Sequence, residues 1–461
     1  MSHPSPASTA AFPPAAAAQP ATAGEITAGY RRYVLWILMF SCALNFLDRQ
    51  VINILAEPIK DEFGLSDTQL GLLTGLAFAT FYSGLSLPVA RLADRSDRSR
   101  LIAVFVGIWS LATAASGLVA NFTQLLLARV VVGLGEAGGS PPAHSLISDY
   151  TPPEKRSSAI AFYTIGIPLG GLLGMVLGGV ILDHYGWRTA FLVAGLPGVL
   201  LAAVIWATLR DPKRDRARPE ALDADPPVPW GEAVREMAGK RAFLLIWVGG
   251  AATTFVNYSQ GAFIASFFFR AHADALDRLA GGTASTIGIA LGAAGLLGIA
   301  LGISKGLTGI IGTLLGGRLG DRPGEASYIA HVTIPAIFTA LRVPLIIGAV
   351  LVQDVVLSFL LLAAHGFAMG VAGVGGYAAV QGLVRPRVRA TAAAVYMFGL
   401  NMIGLGFGPL LVGVLSDALA AGGMSEADGL RWALIWSSLL LFIAAACKWW
   451  ARRYIVRDSV S

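Results

Sequence analysis

The sequence predicts an all-α membrane protein of twelve transmembrane helices in two pseudo-symmetric six-helix bundles. Three observations lead there. Twelve apolar stretches of about 20 residues, the length that crosses a bilayer, alternate with charged or turn-rich breaks. The last six repeat patterns of the first six, and Lys and Arg collect in alternate connections. Composition agrees: of 461 residues, 55% are hydrophobic and 13% charged, about half the charged fraction of a soluble protein, and the mean hydropathy is +0.66.

Residues 1–30 are a tail rich in Ala, Pro, Ser and Thr with few large apolar side chains, which predicts disorder. It lacks the basic start and apolar core of a signal peptide. Spans follow near 33–57, 66–90, 101–120, 122–147, 157–182 and 187–209, so that 31–210 forms the N-terminal bundle. The charged, Pro-rich stretch 211–241 reads as a cytoplasmic connector, with a short surface helix at EAVREMAGK. The C-terminal bundle, 242–455, holds spans near 243–269, 286–317, 327–351, 355–381, 390–416 and 430–454, before a tail at 456–461. Residues 274–302 exceed what one loop and one helix need, which predicts a broken or extended eighth span. Lys305 follows within it, and two readings fit: a lysine snorkelling to an interface and a substrate-site lysine.

With the N-terminus inside, about 25 basic residues fall in inner connections and about five in outer ones, so both termini are expected in the cytoplasm. The net charge of +6 resides in those connections, and nucleic acid is not an expected partner. Cys42 and Cys447 lie in apolar stretches at opposite ends of the chain and predict neither a disulfide framework nor a metal cluster.

The repeat shows at two independent places. ARLADRSDRSR at Ala90–Arg100 matches GRLGDRPG at Gly317–Gly324, pairing Arg91 with Arg318, Asp94 with Asp321 and Arg95 with Arg322, 227 residues apart. RSSAIAFY from Arg156 matches RATAAAVY from Arg389, 233 residues on. Repeats of six spans imply a binding site between two bundles near the midplane.

Charges inside spans supply the site candidates. LWILMFSCALNFLDRQVINIL carries Asp48 and Arg49 near its middle, and LLLARVVVGLGEAGG carries Arg129 and Glu136, two helical turns apart. Each such charge costs about 2.5 to 3.5 kcal/mol at a helix centre, so it normally faces a partner or a water-filled path. A rise of 1.5 Å per residue puts Asp48 and Glu136 about 21 to 22 Å from the ends where their spans begin, so all four can share one cavity. Asp48 and Glu136 are the candidate proton-coupling groups, because burial and neighbouring arginines pull a carboxyl in opposite directions. Protonation is expected to loosen an Arg129–Glu136 interaction and free a guanidinium for an anionic headgroup; a permanent structural ion pair is the alternative.

Asn45, one turn before Arg49, is placed to orient it, and Asn257, Tyr258 and Gln260 offer hydrogen bonds from the seventh span. Arg342 is an intramembrane cation able to meet a phosphate or to snorkel. His144 and His365, flanked by apolar residues, read as packed. Phe263, Phe267, Phe268 and Phe269 fit either an acyl-chain path or a lipid-facing helix. Asp94, with Arg91, Arg95 and Arg98 around it and its repeat at Asp321 and Arg322, is placed to accept helix N-terminal amides of the opposite bundle and latch the cytoplasmic side.

A nucleotide-driven pump would need a G-x-x-x-x-G-K-[ST] run, and the chain has none. A lipid enzyme would need a nucleophile with a base or a metal cluster, and the histidines show no ligand spacing. No enzyme activity, catalytic residue, metal or cofactor is expected, protons being the coupling ion.

The Asp94 motif, keeping Asp94, Arg95 and Arg98 of a G-x-x-x-D-R-x-G-R-R pattern, resembles the signature of the major facilitator superfamily. DRQ at Asp48–Gln50, GLGEAGGSPPAHSLISDYTPPEKRSSA from Gly133 and GIPLGG at Gly166–Gly171 are similar to its Spinster branch, whose animal members move lysophospholipids or sphingosine 1-phosphate. The resemblance implies the major facilitator fold and a proton-coupled secondary transporter, working by alternating access, that exports an amphipathic anion such as a lysophospholipid. A drug or metabolite exporter without lipid preference is the runner-up. It also implies a monomer in contact with membrane lipids. The Ala, Gly and Arg bias points to a bacterial inner membrane. In the fifth span Ile167 interrupts the Gly-Pro pair found in the superfamily's antiporters, so its glycines read first as packing.

Overall fold

Long apolar segments in a bilayer must satisfy every backbone group internally, which makes them helices. The computed structural model describes residues 27–212, 230–287, 291–320, 325–373 and 375–459. Most of the tail, most of the connector, and Asp321 and Arg322 lie outside the described residues, as does the side chain of Asp94.

Among the described residues, nine helices are long and apolar enough to cross a membrane. The first, Ala28–Phe63, starts on the Thr27 side chain and ends at Gly64, whose φ of 63° closes the helix in a left-handed cap. The third is Arg98–Ser116. Gly166–Thr208 is two spans, because Gly186 at φ 79° breaks it. The seventh is Arg241–Ala271, the ninth Glu325–Leu351, the tenth Val355–Gly373 with Gly376–Gly382, and the twelfth Glu426–Ala451.

Among the described residues, four of the interrupted spans have their breaks beside the site. The second begins at Asp67, with a Ser66–Gln69 capping box, and passes through a π-helical turn at Leu72–Leu76 before Ala77–Arg95. The fourth ends its first piece at Glu136 and restarts at Ser140. The eighth runs Ala293–Gly302, a π-turn at Ile303–Leu307 carrying Lys305, then Thr308–Gly320. The eleventh has its π-turn at Leu400–Phe407. Such turns shift side-chain register and cluster at functional sites. The expected break of the eighth span is therefore this π-turn, and the surplus sequence before it forms a separate helix, Ala273–Ile287. The connector's surface helix is Trp230–Ala238.

Among the described residues, the main contacts between the two halves lie on one side. The first span packs on the seventh, the second on the eleventh and the fifth on the eighth. Helices near the face that carries both termini, such as Ser140–Tyr150 and Arg389–Gly399, pack against neighbours of their own half. Glycines permit the close approach: a Cβ at Gly179 would stand 2.2 Å from the Ala294 carbonyl oxygen, and one at Gly170 would stand 2.0 Å from that of Ala43. The fifth-span glycines are thus packing residues.

Candidate functional site

A cavity of about 430 Å³ lies between the halves, lined among others by Arg49, Gln50, Arg129, Asn257, Tyr258 and Lys305. Asp48 and Glu136 do not line it; they sit behind the two arginines, 2% and 1% exposed. The pairing is crossed between spans. Arg49 Nε donates to Glu136 Oε2 at 2.5 Å, and Arg129 Nη1 reaches the two oxygens of Asp48 at 3.3 and 3.4 Å. The expected Arg129–Glu136 interaction is corrected: residues two turns apart on one helix share a face, but each guanidinium extends sideways to the neighbouring helix. Arg49 also lies over the rings of Phe46, Phe78 and Tyr82, 4.4 to 5.1 Å from their centroids, a cation–π cage that fixes its plane. Glu136 Oε1 is buried without a hydrogen-bond partner among the described residues. Asn45 is buried but does not hydrogen-bond Arg49 among the described residues.

Behind the opposite wall, which Asn257 and His365 line, Arg342 is fully buried. It donates to Asn257 Oδ1 at 2.5 Å and to His365 Nε2 at 3.2 Å, and so does not snorkel. His365 lines the cavity rather than packing inertly. Phe263, Phe267 and Phe268 are at most 1% exposed in the core between the halves, so they face neither lipid nor an acyl path. Gln260 lines the cavity and hydrogen-bonds Ser438 at 3.1 Å.

Of the residues predicted for a latch, Arg91 and Arg95 are exposed on the terminal face. Arg98 is placed differently. It is buried within the first six spans, 2.5 Å from Asp211, 2.7 Å from Asp149 and 2.7 Å from Ser145 Oγ. It staples the start of the third span to the ends of the fourth and sixth.

The face away from the termini carries a closure that the sequence reading missed. Arg270 makes bidentate contacts with Glu57 (2.5 and 2.8 Å) and with Asp67 (2.7 and 2.9 Å), while Lys60 bridges Asp67 and Glu426. Two aspartates cap helix starts across the halves. Asp417 accepts from the Asp67 and Thr68 amides at 2.9 and 2.8 Å, and Asp183 accepts from those of Ala294 and Gly295 at 3.0 and 2.7 Å. The spacing of the second repeat match relates these two aspartates to within one residue. An N-terminal helix end favours a carboxylate both by its free N–H groups and by its dipole. The available signal was the pair of aspartates at equivalent ends of the fifth and eleventh spans.

Two helical halves around a charged midplane cavity, closed on one side and apart on the other, define a membrane transporter of the two-bundle class. The family model of the Major Facilitator Superfamily matches residues 38–409, and the chain belongs to that superfamily. It is 32% identical to an MFS-type efflux pump of Mycolicibacterium smegmatis over 92% of this chain and 93% of that one. It is 29% identical to protein spinster homolog 1 of Homo sapiens, over 53% of this chain and 47% of that protein. A solved bacterial homolog of the human lysosomal transporter Spinster, inward-facing and unoccupied, superposes with a TM-score of 0.79 at 30% identity, over 94% of this chain and 99% of the other. The predicted Spinster resemblance is borne out.

Proposed function

We propose that this transporter is a proton-coupled exporter of an amphipathic anion, a lysophospholipid or sphingolipid phosphate being the class that fits, in a bacterial inner membrane with both termini cytoplasmic. The observation that carries the reading is the crossed pairing. Each guanidinium faces the cavity and each carboxylate is held behind it, so a proton on Asp48 or Glu136 releases an arginine toward a bound anion. The unpartnered Oε1 of Glu136 is a place where a proton relieves a buried charge. Asn45, Asn257, Tyr258 and Arg342 complete the substrate and charge-relay set in this reading.

Alternating access then exchanges one closed face for the other. When the terminal face closes, Asp94 and Asp321, with Arg91, Arg95 and Arg322 around them, latch it as Asp183 and Asp417 cap the distal face. The efflux-pump relative favours a second reading, a proton-coupled exporter of drugs or metabolites without lipid preference.

Uptake of a labelled lysophospholipid into proteoliposomes with and without a pH gradient tests the proposal. Gradient-dependent accumulation supports it. Accumulation of small drugs but not of the lysolipid supports the second reading, and accumulation of neither rejects proton-coupled export.

A further inference from the structure

The two walls of the cavity differ in charge. In the first half, Asp48 and Glu136 neutralise Arg129 and Arg49. In the second, every Asp and Glu between Arg241 and Ala451 stands at a span end or in a connection. Yet among the described residues three cations reach its interior: Lys305, Arg342 and Lys448. Lys305 lines the cavity and has no hydrogen-bond partner among the described residues. Lys448 stems from near the terminal end of the twelfth span but turns inward to the hydroxyls of Thr253 and Thr339, both at 3.0 Å. Among the described residues Arg342 is bound only to the neutral groups of Asn257 and His365 and keeps its Nη1 buried without a partner, and it lies within electrostatic reach of both lysines. Uncompensated charges inside a membrane protein are costly and normally await a counter-charge.

The surrounding space is shaped for one. A second chamber of about 150 Å³, lined by Lys448, Tyr396 and Thr253, adjoins the central cavity, and Asn257 and Thr254 line both. Lys305 thus lines the larger chamber and Lys448 the smaller, and Arg342, which lines neither, is hydrogen-bonded to the Asn257 that lines both.

We infer that the second half holds an oxyanion subsite, separate from the Asp48–Arg49–Arg129–Glu136 cluster, in which Lys305 and Lys448, with Arg342 behind Asn257 adding its charge, take the phosphate group of the substrate. This rests on the exporter reading and extends it: the first half handles the proton and frees an arginine toward the anion, and the second half holds the phosphate. Three cations without a carboxylate suit a phosphate monoester, which carries up to two negative charges, better than a zwitterionic headgroup. Met175, Leu301 and Met369, on the wall of the same cavity, offer apolar contact to the attached chain.

The test uses the full chain in nanodiscs of neutral lipid and three probes: lauroyl lysophosphatidic acid, monolauroylglycerol, which lacks only the phosphate, and inorganic phosphate. Wild type is expected to bind the phosphate monoester at least about tenfold more tightly than the glycerol ester. Lys305→Met and Lys448→Met should each remove about tenfold of that preference without changing monolauroylglycerol binding. Lys448→Arg, which keeps the charge, should retain it, and unchanged glycerol-ester binding shows that each variant is folded. Equal affinity for the two lipids, or a preference unmoved in both Met variants, overturns the subsite. Displacement of the lysolipid by inorganic phosphate at matched concentration supports the subsite and assigns it to free phosphate. Phosphate-selective binding without translocation leaves the subsite standing and the exporter reading rejected; translocation without phosphate selectivity does the reverse.

Discussion

Arg49 on the first span and Glu136 on the fourth meet at 2.5 Å, joining a side chain that faces the cavity to one that does not. Removing one partner of a buried pair leaves the other charge without compensation, at a cost of about 3 to 5 kcal/mol. Arg49→Ala is therefore expected to lower the melting temperature and abolish transport. Arg49→Lys keeps the charge but loses the planar stacking on Phe78 and Tyr82, and its transport should fall about tenfold with stability largely kept. The exchange Arg49→Glu with Glu136→Arg should recover more stability than either single change, which a double-mutant cycle on thermal unfolding measures.

Asp183 and Asp417 cap the eighth and second spans across the halves. Losing a cap of this kind to alanine costs about 0.5 to 2 kcal/mol, so Asp183→Ala with Asp417→Ala should shift the population toward a distally open state. The reporter is Asn53→Cys in the cavity wall, in a background lacking Cys42 and Cys447. Labelling by an impermeant maleimide from the distal side should rise several-fold in the double variant, and an unchanged rate would show that the caps do not hold that face.

Arg98 belongs to the predicted latch by sequence but to the interior of the first half by structure. Arg98→Ala leaves Asp211 buried, and the expected loss is about 3 to 5 kcal/mol of stability. Arg95→Ala, at an exposed position, should change stability by less than about 0.5 kcal/mol. Similar thermal shifts for the two would contradict the staple role.

At Gly179 a methyl group would strike the Ala294 carbonyl oxygen. Overpacking costs about 1 to 3 kcal/mol, and here it falls only on the state in which the fifth and eighth spans touch. Gly179→Ala should therefore leave the folded yield intact, slow transport and raise distal maleimide labelling in the same Asn53→Cys background.

Much of this was legible in the sequence for physical reasons. Asp48, Arg49, Arg129 and Glu136 stood out because charge inside an apolar span is costly, and the twelve spans because their lengths match a bilayer. The partners were not legible. Pairing across helices depends on which faces meet, and that is set by contacts such as Gly170 on Ala43, which no spacing within one helix encodes. Arg270, Asp67 and Asp417 sit near span ends, where solvated charges are ordinary, so their role in closing the distal face was hidden. The phenylalanines of the seventh span were misread because a helix packed between two halves has the same composition as one facing lipid. His365 looked inert until the ninth span brought Arg342 within 3.2 Å of it.

The most direct test of the central claim compares two assays of the same proteoliposomes, wild type against Glu136→Gln: accumulation of a labelled lysophospholipid driven by a pH gradient, and its exchange across the membrane without a gradient. If Glu136 carries the coupling proton, the variant keeps exchange and loses accumulation. Gradient-driven accumulation by Glu136→Gln at the wild-type level, with the same pH dependence, would contradict the account.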